Sequence, residues 1–264
     1  MKIDDSMIRS YLSGKDDYKD HWLFNSILDN GEYTFDRPSD EYKEKIKEIY
    51  EKTYENLINF IPYNVELFSV LFPEWKNLIN DVNIILAVGC PSPYDAMVRE
   101  HNGREFIIFD LIRFMSYEKD GDDILSLITG MITHEIVHVC IHDNYPVIDN
   151  TYKDKLSYIT FDEGFAHLLA FTNKINSYNF IPMIEAHYEN SVRKLQMALS
   201  ETNTFRQKEY LEESNCGAYW NKFAAISGKL YLATNMDRLH DIYKDGPSNM
   251  ISNIQKILNI KLEI

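Results

Sequence analysis

Cysteine is scarce: the 264 residues hold three, Cys90, Cys140 and Cys216, far apart and with no CxxC spacing. An odd, scattered set argues against a disulfide framework and against a thiolate zinc site. Positive charge is also in deficit. Lys and Arg number 27 against 41 Asp and Glu, a formal charge of −14. Phosphate recognition needs clustered Lys and Arg to displace counterions, so a nucleic-acid partner is disfavoured. A surface that grips anionic lipid is disfavoured for the same reason. No stretch reaches the roughly 18 uninterrupted apolar residues of a transmembrane helix. The N-terminus, MKIDDSMIRSYLSGKDDYKDHWLF, carries acids and lysines where a signal peptide would need an apolar core. Internal repeats, low-complexity tracts and Gly/Ser linkers are missing as well. The expectation is a cytoplasmic protein with no nucleic-acid and no membrane partner. Oligomeric state is not legible.

What is present is ordinary globular material. With 45% apolar and 26% charged residues the chain sits near the globular average, which argues against wholesale disorder. The opening segment reads as mostly helical. Glu41 to Phe60 spaces Ile46, Ile49, Tyr50, Leu57 and Phe60 at helical intervals between lysines and glutamates, with Ser39 as a plausible N-cap. The period then changes. Val82 to Val88 is a short apolar run that suits a buried strand. Asp95–His101 and Arg104–Leu111 flank Asn102-Gly103, the strongest short hairpin signal, because both positions of a type I′ turn require positive φ. From Asp122 onward helix is expected again. The fold class read from this is α+β, predominantly helical. It is taken as one domain over 1–264, with an N-terminal lobe of about 1–144 and a helical C-terminal lobe of about 145–264.

Chemistry enters in ILSLITGMITHEIVHVCIHD, a strongly apolar helix that follows Gly121-Asp122-Asp123, whose aspartates would cap it. It contains His134-Glu135-Ile136-Val137-His138, the HExxH pattern. Residues four apart on a helix are offset by about 40° and about 6 Å. Both imidazoles therefore project from one face and can grip one zinc ion. Glu135 stands beside that position, able to take a proton from the water a zinc would activate. Three polar side chains in an apolar helix would be costly without partners.

The metzincin extension would need Gly at 141 and His at 144, where Ile141 and Asn144 stand. A third ligand is available elsewhere. The interval from Asp143 to Ser157 reads as a loop, followed by a helix opening at Thr160-Phe161-Asp162-Glu163-Gly164-Phe165-Ala166-His167. Glu163 follows His138 by 25 residues, enough for a loop and a return onto the first helix. Two readings of Glu163 stand side by side. Thr160-x-x-Glu163 fits a capping box. Gly164, costly inside a helix, instead suggests close approach to the metal helix with Glu163 as ligand.

HEIVH followed by DEGFAH resembles the gluzincin zinc peptidases, and especially small bacterial zinc-dependent peptidases of peptidase-MA-like type. The match covers the two motif helices and, more loosely, the hairpin before them and the helical tail. The resemblance implies a zincin-like fold, Zn2+ as cofactor, and a peptide or protein substrate. It implies His134, His138 and Glu163 as metal ligands and Glu135 as general base. It implies further that an edge strand beside the metal helix pairs with extended substrate, with the candidate in Asp95–His101, for which an ordinary structural hairpin is the equal alternative. A Tyr or His would steady the oxyanion; Tyr219 is the first choice, ahead of Tyr231, His240 and Tyr243. His142 and His167 are read as neighbours of the metal or as core histidines. Asp162 could orient a ligand imidazole. No GxMEN-like run is present, which favours an endopeptidase or oligopeptidase over an aminopeptidase. The competing class is a zinc-binding interaction or regulatory protein without activity, and a third reading is a helical domain without metal.

Overall fold

The computed structural model describes residues 1–29, 32–92, 94–119, 124–146 and 151–262. Among the described residues six strands run as β1 (Lys2–Asp4), β2 (Leu28–Asp29), β3 (Glu32–Tyr33), β4 (Asn83–Ala87), β5 (Ala96–His101) and β6 (Arg104–Asp110). The helices are α1 (Ser6–Leu12), α2 (Lys43–Ile58), α3 (Val65–Leu71), α4 (Trp75–Leu78), α5 (Leu111–Lys119) and α6 (Ile124–Asn144). They continue with α7 (Tyr152–Leu169), α8 (Ile181–Met183), α9 (Glu189–Ser200), α10 (Thr204–Asn215), α11 (Phe223–Ala233) and α12 (Leu239–Leu262). The α+β, mostly helical class is the one expected. The chain clusters into two compact units, residues 1–61 with 76–129, and residues 62–75 with 130–264.

The first unit holds a four-stranded sheet in the order β1-β4-β6-β5. β1–β4 and β4–β6 are parallel; β5–β6 is the antiparallel hairpin. The apolar run of β4 lies inside, with Ile84 to Ala87 buried. Asn102 and Gly103 adopt φ of 52° and 71°, the positive pair that a type I′ turn demands. β5 stands at one end of the sheet and β1 at the other. β1 and the β2–β3 pair were not anticipated; stretches of two or three residues carry no readable period.

Helix resumes earlier than expected, at Leu111. Asp110 turns the chain there. Its Oδ1 accepts from Ile112 and Arg113 N–H, and its Oδ2 accepts from Cys90 N–H at 2.7 Å. The cap expected from Asp122 and Asp123 lies outside the described residues.

α6 corrects the reading of apolar length. Its 21 residues are long and apolar enough to cross a membrane by composition, because scattered polar residues break a run without making the helix polar. Half of that apolar window is buried within the fold, and Ile128, Ile132, Ile136, Val137, Cys140 and Ile141 are fully enclosed. α6 is thus accounted for as a core helix.

In the second unit α7 starts eight residues sooner than expected. Thr151 and Asp154 form the capping box, so the loop is shorter than Asp143–Ser157. Thr160 lies mid-helix, its hydroxyl donating to the Leu156 carbonyl at 2.8 Å. The capping reading of Glu163 therefore falls: no helix begins beside it. α11 packs most closely on α7, and Gly164 is the reason. A β-carbon there would stand 2.8 Å from Gly228 Cα. The close approach anticipated at Gly164 is real but is made by α11 rather than α6. α6 meets the end of α7 at Gly130, where a β-carbon would lie 3.4 Å from the Ala170 carbonyl.

Candidate metal centre

All the proposed ligands lie in the second unit. On α6, His134 Nε2 and His138 Nε2 are 3.1 Å apart. Two imidazole lone pairs cannot face each other without a proton or a cation between them. From α7, Glu163 Oε2 reaches within 3.6 Å of His134 Nε2 and 3.5 Å of His167 Nε2. The group whose ligand atoms all lie within 4.8 Å is His134, Glu163 and His167; His138 joins it through His134. Three donors, from His134, Glu163 and His167, thus lie together, and His138 stands beside them in contact with His134.

The distances suit a metal. Ligands about 2.0–2.1 Å from a tetrahedral zinc stand about 3.3 Å from each other. The observed 3.1, 3.5 and 3.6 Å bracket that edge. Burial points the same way: His167 Nε2 is sealed from solvent with no hydrogen-bond partner, a costly state for a nitrogen with nothing to bind. His, His and carboxylate are also the donor types zinc accepts. The residues present fit the ion.

Neighbouring groups hold the donors in place. His138 Nδ1 lies 2.8 Å from Asp162 Oδ1, and neither atom has another hydrogen-bond partner. His142 Nε2 approaches Asp162 Oδ2 at 3.5 Å with its side chain half exposed, which makes it a support for Asp162. Asn215, the last residue of α10, donates from Nδ2 to Glu163 Oε1 at 3.0 Å and leaves Oε2 for the histidines.

Protonation follows the surroundings. Burial pushes His134 well down, helped by His138, His167 and Lys222. Burial, with Lys222, Lys229 and His138, also lowers His167, to about 3. Burial alone would depress His138, but its contact with Asp162 and the charges of Asp162, Glu163 and Glu135 carry it up to about 9.

Glu135 is half-buried on α6 between the two histidines in sequence. Tyr219 sets its ring edge-on to His167 at 5.2 Å between centroids, and its Oη accepts from Lys229 Nζ at 2.7 Å. Lys229 is fully buried, 3.5 Å above the Phe171 ring, with no carboxylate partner among the described residues. Of the other oxyanion candidates, Tyr231 and Tyr243 are core residues and His240 is exposed. Tyr243 packs among Phe72, Tyr145, Phe161 and Phe165.

Sequence reasoning undervalued His167, although its place four residues after Glu163 was a usable signal. Asn215 and Lys229 carried none. No family model, no characterised protein and no solved structure matches the chain.

Proposed function

We propose that the protein is a zinc-dependent hydrolase of peptide bonds with a zincin-like fold, acting as an endopeptidase or oligopeptidase. The observation that supports the reading is the closeness of His134 to His138, four residues on along α6, and to Glu163 from the helix that follows. The motif HExxH, with Glu-Gly-x-Ala downstream, adds the expectation of peptidase chemistry. A zinc ion held there supplies Lewis acidity, acidifying water and polarising a carbonyl.

The chain's own groups do the rest. Glu135 takes the proton of the attacking water and passes it to the leaving amine. Asp162 fixes His138 with its Nε2 toward His134, and Asn215 restricts Glu163 to one free oxygen. Tyr219, whose oxygen accepts from Lys229, has its own O–H left to donate to the oxyanion. A cytoplasmic location belongs to the same proposal and is supported by the three unpaired cysteines. Glu135→Gln tests the chemistry. It should retain zinc and lose hydrolysis of a mixed peptide library by several orders of magnitude; full activity would sink the assignment.

A zinc protein without hydrolysis is the second reading. The position of His167 favours it, because a fourth protein donor closes a site that catalysis needs open.

A further inference from the structure

We infer that His167 is a protein ligand together with His134 and Glu163, and that an ion drawing in His138, which stands 3.1 Å from His134 but outside that group, closes the resting sphere with no position left for water. The inference rests on the metal reading above and adds the regulation of that site. His167 follows Glu163 by four on α7, as His138 follows His134 on α6, so each helix presents one pair of donors. Its Nε2 lies 3.5 Å from Glu163 Oε2, the edge expected between two ligands of one tetrahedral ion. With Glu163 and His134 it forms a group whose donor atoms all lie within 4.8 Å of one another. The nitrogen is buried and has no hydrogen-bond partner, which a core histidine would avoid.

The surroundings hold it there. Asn215 occupies Glu163 Oε1, so the carboxylate offers one oxygen and leaves space for a fourth donor. Tyr219 braces the His167 ring from the edge, and Lys229 in turn anchors the Tyr219 hydroxyl. Structural zinc sites are closed by four protein ligands, whereas catalytic ones keep one position for water. The site in its resting state is of the closed kind. Hydrolysis then waits on His167 giving way, and the protein is latent until a substrate or partner displaces it.

The test uses the full-length protein loaded with cobalt(II), whose visible spectrum reports the coordination sphere, and azide as a probe for an open position. The wild-type cobalt protein should show an intense four-coordinate spectrum that azide leaves unchanged. His167→Ala should still bind one cobalt, with affinity lowered about tenfold or more, and should give a new spectrum on adding azide. His167→Gln, closer in volume, serves if the alanine variant does not fold, and should show the same loss of affinity. An azide complex in the wild-type protein, or variants that match its spectrum and affinity, would overturn the inference and leave the metal reading standing. A wild-type protein that binds neither cobalt nor zinc would overturn both.

Discussion

Gly164 and Gly228 meet backbone to backbone, so that α11 lies directly on the helix that carries Glu163. A β-carbon on Gly228 would stand 2.0 Å from the Thr160 carbonyl and 2.9 Å from Gly164 Cα. Neither neighbour is a flexible side-chain end, so the helices must separate to admit one. The next residue, Lys229, then reaches Tyr219, and the residue before Gly164 is the proposed ligand. This one contact sets two parts of the site.

Gly228→Ala should therefore destabilise the protein by about 3 kcal/mol, at the upper end of ordinary overpacking, or prevent folding. Urea denaturation measures it. A variant as stable as the wild type would show that the two helices are not held at this distance.

Asp162→Ala should weaken zinc binding about 10- to 100-fold without abolishing it, because His138 would keep its nitrogen but lose what orients the ring. Competition against a chromophoric chelator gives the affinity directly. An unchanged affinity would mean that the 2.8 Å approach of Asp162 to His138 is incidental to the metal.

Burial lowers the Lys229 amine from its ordinary 10.5 to about 7. Between those two pH values the unfolded chain binds more protons at this residue than the folded one does. Stability must then rise with pH across the window, with the full cost of the buried charge felt below pH 7. The whole effect is at most about 5 kcal/mol for a shift of this size. Lys229→Met should flatten the pH dependence of unfolding between 7 and 10.5 and raise stability at pH 6. An unaltered slope would mean that the amine stays charged in the fold.

Much of this was legible because it is local. Asn102-Gly103 announced its hairpin because only a few residues tolerate two successive positive φ values. HExxH announced two neighbouring imidazoles because four residues bring two side chains onto one helix face. Glu163 does lie 3.6 Å from His134, although its helix begins earlier than the sequence suggests: the Thr151–Asp154 box lies in a stretch whose Asn and Pro residues read as loop. Gly164 was seen to need a close neighbour, yet no pattern in one sequence says which helix that is. Asn215 and Lys229 were illegible for a similar reason. Their roles come from where α10 ends and how α11 packs, both of which are tertiary facts. The membrane-like composition of α6 shows the converse limit, since an apolar helix in a core and one in lipid share the same residues.

Zinc content tests the central claim most directly. Protein purified without added metal or chelator, and measured by elemental analysis beside His134→Ala, should carry one zinc per chain in the wild type and none in the variant. A folded wild-type protein that holds no metal, even after dialysis against zinc, would contradict the account. So would a His134→Ala variant that retains a full equivalent.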